Sequence, residues 1–62
     1  MVTLHNYSLK NRTGDFKGLS TDEKPVGKFE HNVMFNGMIF EELDTGEIYY
    51  YNGEKKIWEV YN

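Results

Sequence analysis

The 62-residue sequence contains no cysteine and a single proline. Without thiols the chain has neither disulfides nor thiolate metal ligands, which often stabilise proteins of this size. No stretch approaches the roughly 20 consecutive apolar residues that a helical membrane span needs, so we expect no membrane partner. Residues 1–7 lack the charged and apolar regions of a secretory signal. We therefore expect synthesis and residence in a reducing cytoplasm.

A concentrated basic region is also missing. Residues 1–28 have a net charge of +2, whereas residues 29–62 have a net charge of −5. The acidic half repels phosphate backbones, and the other half lacks the dense cationic cluster on which nucleic-acid affinity depends. The charge pattern therefore predicts that nucleic acid is not a partner.

The sequence also lacks the apolar periodicity of an amphipathic helix. No 11-residue window repeats apolar residues every 3.6 positions, whereas alternation of apolar and polar residues is frequent. We expect a single domain over residues 1–62 that is all-β and mainly antiparallel. Residues 1–28 are predicted to be a polar, mostly loop-like arm, with a further strand possible near residues 3–9. Residues 29–62, which hold eight of the ten aromatic side chains, are predicted to form an antiparallel β-meander of three to four strands.

Turn-forming residues divide the acidic half at short intervals. The Asn36-Gly37 pair suits the positive φ angles of a two-residue type I′ hairpin. Asp44 suits the next turn because its carboxylate accepts from nearby backbone amides, and Gly46 suits the left-handed conformation. The predicted structural turn residues are Asn36, Gly37, Asp44, Gly46, Asn52 and Gly53.

The residues with catalytic or metal-binding chemistry are few. Asp44-Thr45-Gly46 matches the triplet of the pepsin-like and retroviral aspartic proteases. Only sixteen residues follow Gly46, too few for the rest of a protease subunit, so we interpret the triplet as a hairpin turn. His5 and His31 are the only imidazoles, and no run of acids has the spacing of a calcium loop. We therefore predict no enzymatic activity, no metal and no cofactor.

The Tyr49-Tyr50-Tyr51 run supplies the clearest candidate for recognition. Side chains alternate along a strand, so these rings must lie on both faces of a sheet too thin to cover both. The rings are interpreted either as cross-strand packing partners or as an interface, where Tyr and Trp are enriched. Trp58 and Val60 share one strand face and are predicted to lie on its core side. The candidate protein-contact residues are Tyr49, Tyr51, Trp58 and Tyr61.

Two segments and a tryptophan resemble a known family. Residues 19–25 read LSTD-x-KP, residues 36–49 read NG-x-x-F-x-E-x-DTG-x-x-Y, and Trp58 follows a further turn. As a set they resemble a family of very short proteins encoded by phages and prophages of Gram-positive bacteria. The resemblance covers residues 18–60. It fails at residues 26–35, where family members are shorter and lead into the hairpin with proline.

The resemblance implies a phage-encoded, non-enzymatic protein. The leading interpretation is a minor virion component of capsid or tail that binds a phage structural protein through an aromatic sheet face. The alternative is a small acidic inhibitor that blocks a host defence or replication protein through Glu41, Glu42, Asp44 and Glu47; these carboxylates are otherwise a solvated face. Both proteins would be made in the bacterial cytoplasm, and the first would end in the virion. We also expect a homo-oligomer, formed by the unpaired edge strands.

Overall fold

The computed structural model describes residues 1–61 and contains no helix within them. The all-β fold class is therefore confirmed. The strands are β1 (Thr3–Ser8), β2 (Thr13–Gly18), β3 (Lys28–Phe29), β4 (Asn32–Val33), β5 (Ile39–Glu42), β6 (Ile48–Asn52) and β7 (Ile57–Val60).

Five strands form one mixed sheet in the order β1-β2-β5-β6-β7, and β3 and β4 form a separate two-stranded sheet. The pairs β1–β2, β5–β6 and β6–β7 are antiparallel, but β2 and β5 are parallel. The predicted meander is therefore correct only for β5–β6–β7, and the sheet has five strands rather than three or four. A tight turn cannot join parallel neighbours, so residues 19–38 form a long connection, the crossover, which contains β3 and β4.

The crossover covers one face of the sheet and forms the core with it. The residues paired across this core face are Leu4, Phe16, Phe40, Tyr49 and Val60. Phe16 and Phe40 are fully buried. From the crossover, Phe29 packs edge-on against Phe16 with ring centroids 5.2 Å apart, and Met34 is buried in the same cluster.

Residues 1–28 differ most from the sequence-based expectation. The expected loop-like arm contains β1 and β2, and Phe16 of β2 lies at the centre of the core. Gly14 and Gly18, which resemble turn residues in the sequence, are buried within β2. A Cβ at Gly18 would lie 2.9 Å from Cζ of Phe40, and one at Gly14 would lie 2.6 Å from Cε of Met38. Close packing under the core, rather than a turn, therefore requires these glycines.

The Asn36-Gly37 pair is the second correction. Gly37 has φ of 86°, and the Met38 amide donates to the Phe35 carbonyl at 3.3 Å, so a turn is present. It does not close a hairpin, because β4 before it pairs with β3 whereas β5 after it pairs with β2 and β6. The turn ends the crossover and returns the chain to the sheet.

The other two turns close hairpins as predicted. Gly46 has φ of 78° and donates to the Glu42 carbonyl at 2.8 Å between β5 and β6. Between β6 and β7, Oδ1 of Asn52 accepts the amides of Glu54 and Lys55 at 3.1 and 3.2 Å. Gly53 donates its amide to the Asn36 side chain, which joins this turn to the end of the crossover.

Gly18→Ala should lower the free energy of unfolding by about 1–3 kcal/mol, because the new methyl group meets the fully buried Phe40 ring. Gly14→Ala is the matched control, since its methyl group meets the flexible end of Met38 and should cost less. Chemical denaturation monitored by Trp58 fluorescence measures both values. Equal losses would contradict the role assigned to Phe40.

Candidate functional site

Lys24 holds the crossover against the core face. Its Nζ donates to Oε2 of Glu42 at 2.6 Å and lies 4.5 and 4.9 Å from the ring centroids of Tyr49 and Phe40. Glu42 is 4% exposed, and its Oε1 accepts the Thr45 hydroxyl at 2.6 Å. These hydrogen bonds, the one from Lys24 first, lower the pKa of Glu42. Both oxygens of this buried carboxylate are therefore satisfied, as burial of a charge requires.

Ser20 and Pro25 provide two further attachment points. Asp44 accepts the Ser20 amide at 3.0 Å and the Ser20 hydroxyl at 2.6 Å, and these bonds lower the pKa of Asp44. Trp58 donates its indole N–H to the Pro25 carbonyl at 2.8 Å. Asp44 therefore binds a residue distant in sequence, and the amides of Asp44 and Thr45, which are local donors of the kind that the sequence predicts, lower its pKa further. In this chain its carboxylate holds the crossover in place.

Three of the four predicted contact residues lie on the core face. Tyr51 is 3% exposed, and its hydroxyl accepts the Gly27 amide at 2.9 Å. Trp58 is half-buried and packs edge-on against Phe16 and Phe40. Tyr49 is half-buried beneath Lys24. As a correction, Tyr51 has no surface to offer a partner, because the crossover covers its side of β6.

Tyr61, the fourth predicted residue, lies on the opposite side of the sheet. We call this side the open face, because the core contacts of the crossover are all made on the other side. Its apolar half spans β5–β7 and consists of Ile39, Ile48, Tyr50, Ile57 and Tyr61. Tyr61 is 62% exposed and meets Tyr50 edge-on, with ring centroids 6.1 Å apart. Beside these rings lies a shallow hollow of about 460 Å³.

The charged side chains of the open face are mainly acidic. Lys17 and Glu41 form an ion pair across β2 and β5 at 2.7 Å. Asp15 lies directly across from Ile39, and Glu59 lies directly across from Tyr50. Glu59 accepts the side-chain amide of Asn52 at 3.0 Å. Three carboxylates and one ammonium group therefore border an apolar patch.

The predicted acidic contact residues do not form one surface. Glu41 lies on the open face, whereas Glu42 is buried under Lys24 on the core face. Asp44 and Glu47 lie in the turn between β5 and β6, where Asp44 is bound by Ser20. Glu47 is exposed and takes part in no ion pair found within residues 1–61.

Tyr50 and the isoleucines around it are not among the contact residues that the sequence predicts. Alternation along β6 was the available signal, because a strand with Tyr49 and Tyr51 on the core face must place Tyr50 on the other face. The β6–β7 register agrees with this alternation, because it pairs Tyr51 with Trp58 on the core face and Tyr50 with Glu59 on the open face.

Comparisons of the chain with protein-family models, curated proteins and solved structures found no match. Within residues 1–61, no group of His, Asp and Glu side chains is arranged to hold a metal ion. The same part of the chain contains no helix of the length and hydropathy needed to cross a membrane.

Acid should destabilise the protein partly through Glu42. Its pKa is lowered on folding, so the unfolded state binds more protons as the pH falls below about 4.3, the ordinary pKa of glutamate. The stability that Glu42 contributes is present above this pH and is lost as the pH falls through its folded pKa. In Lys24→Met the buried carboxylate loses its cation, its pKa rises, and the decline in acid should be smaller.

Unfolding free energies measured between pH 7 and pH 2 test this expectation. Lys28→Met is the control, because it removes an exposed lysine from the same crossover and should keep the wild-type pH dependence. Parallel curves for wild type and Lys24→Met would contradict the assigned pairing.

Proposed function

We propose that this chain is a phage-encoded, non-enzymatic binding protein that attaches to the virion as a minor capsid or tail component through its open face. The observation that carries the proposal is the uncovered apolar patch around Tyr50 and Tyr61, which the core does not use. Covering apolar surface is favourable by roughly 25 cal/mol per Å². A partner of matching shape would therefore gain from burying these side chains.

The charges beside the patch define the partner's chemistry. Asp15, Glu41 and Glu59 outnumber Lys17 on the open face, so the favoured partner presents apolar side chains flanked by lysine or arginine. The same carboxylates repel phosphates, which favours a protein over a nucleic acid. A phage structural protein that repeats in the particle offers many such sites at fixed spacing. The chain would be made in the bacterial cytoplasm and then join the particle.

The second candidate function is a small acidic inhibitor of a host defence or replication protein. The observation in its favour is Glu47, which is exposed and outside the ion pairs of residues 1–61. Glu41 and Glu42 support it less, because each already has a lysine partner within the chain.

The test compares how many copies of a doubly substituted protein and of a singly substituted control are incorporated into virions. Combining Tyr61→Ser with Ile57→Thr removes two exposed side chains of the apolar patch. Val33→Thr is the control, because Val33 lies in the crossover and its exposure of 50% is between the 45% of Ile57 and the 62% of Tyr61. Quantitative mass spectrometry of purified particles gives copies per major capsid protein. We expect a fixed copy number for wild type and for Val33→Thr, and a loss of at least about tenfold for the patch variant.

Circular dichroism and thermal unfolding should show that both variants are folded. Absence of the wild-type chain from particles would overturn the virion proposal. Recovery of a host protein that binds wild type but not Glu47→Lys would establish the inhibitor instead.

A further inference from the structure

The strand directions decide which turns lie together at each end of the sheet. β2, β5 and β7 run in one direction, whereas β1 and β6 run in the other. The β1–β2 turn and the β6–β7 turn therefore lie at one end of the sheet. The β5–β6 turn and the residues that follow β2 lie at the other end.

The first of these ends is basic. Its turns carry Lys10 and Arg12 from residues 9–12 and Lys55 and Lys56 from residues 53–56, with Glu54 as the opposing charge. All four cations are exposed, and none belongs to the ion pairs within residues 1–61. We call this region the basic end.

A groove opens at the basic end. It has a volume of about 430 Å³, and its lining includes Arg12 and Glu54 from the two turns together with Met34 and Phe35 from the crossover. Arg12 and Glu54 lie 42 positions apart in sequence, so their shared groove agrees with the strand directions. The groove therefore combines one apolar wall, Phe35 with the mostly buried Met34, with a polar lining that includes one cation and one carboxylate, and the other cations of the basic end lie in the turns that carry Arg12 and Glu54.

The opposite end is acidic and carries exposed leucines. Asp22, Glu23, Asp44 and Glu47 lie in the segment after β2 and in the β5–β6 turn, which the Ser20–Asp44 hydrogen bonds join. Asp22 pairs with the N-terminal ammonium at 2.9 Å, and Glu23, Asp44 and Glu47 take part in no ion pair found within residues 1–61. Leu43 is 59% exposed and Leu19 is 41% exposed. The Leu43 amide donates to the Gly18 carbonyl at 2.8 Å, which places Leu43 beside the strand that leads into Leu19. We call this region the acidic end.

We infer that the two ends bind each other between copies of this chain, so that the leucines of one acidic end enter the groove at the basic end of the next copy. The charges of the two ends are complementary, since one end carries mainly carboxylates and the other carries Lys10, Arg12, Lys55 and Lys56 against Glu54. Phe35 gives the exposed leucines an apolar wall in the groove. The contact joins different surfaces on the two copies, so each added copy leaves one free end of each kind. Such a heterologous contact builds a ring or a linear chain. It uses neither the open face nor the edge strands, and it does not depend on the proposed virion role.

Sedimentation velocity of the full chain at low and high salt provides the first measurement. The screening length is about 30 Å at 0.01 M salt and about 3 Å at 1 M, so the average mass should exceed that of a monomer at low salt and decrease at high salt. Leu43→Ser should also reduce association, and Val26→Ser, at an exposed apolar residue of the crossover, should not.

Charge reversals then identify the surfaces. Lys55→Glu and Glu47→Lys should each weaken association by about tenfold, because each brings like charges together. Lys28→Glu and Glu30→Lys make the same changes in net charge on the crossover hairpin and should leave association unchanged. Glu54→Lys removes the one carboxylate that opposes the cations of the basic end, so it should strengthen the association between copies.

Mixing two variants gives the decisive result. Lys55→Glu and Glu47→Lys should associate with each other more strongly than either does with itself, because every contact in the mixture can again join opposite charges. A monomer at all concentrations up to about 1 mM at low salt would overturn the proposal. A salt-insensitive oligomer that Lys55→Glu leaves intact would also overturn it and would indicate pairing of edge strands.

Discussion

β2 and β5 lie side by side and point the same way, so the chain that leaves Gly18 must return to the other end of the sheet before Ile39 begins the next strand. The return path is the crossover, and its passage over one face creates the core. It also leaves the second face without a layer of its own. A chain of 62 residues has too little surface to cover both faces, and this one parallel pair decides which face is covered.

The LSTD-x-KP segment (residues 19–25) and the segment of residues 36–49 contact each other in the folded chain. Ser20, Lys24 and Pro25 of the first segment bind Asp44, Glu42 and the Trp58 indole, respectively. The side chains of Ser20 and Lys24 are thus explained by attachment of the crossover to the sheet, whereas Pro25 contributes only its backbone carbonyl. A partner-binding surface is better sought among residues that folding does not use, which is why Tyr50 and Tyr61 carry more weight than Tyr51 or Trp58.

Local patterns predicted local structure well and long-range pairing poorly. The β5–β6–β7 hairpins follow from turn residues such as Gly46 and Asn52, which act on their immediate neighbours. β2 was missed because Gly14 and Gly18 look like turn residues until the side chains of Met38 and Phe40 are placed against them. The parallel β2–β5 pair leaves no signal within either strand, because its cause is packing between distant segments.

The same parallel pair sets an order of events during folding. The hairpins of β5–β7 need only short loops to close, whereas β2 reaches β5 only after a connection of twenty residues has been brought back on itself. The order of synthesis is the reverse of this folding order, because β1 and β2 leave the ribosome before β5–β7. Phe16 must therefore wait in water until the strand carrying Phe40 has emerged, and this interval is when the nascent chain is most open to capture by a chaperone or to aggregation.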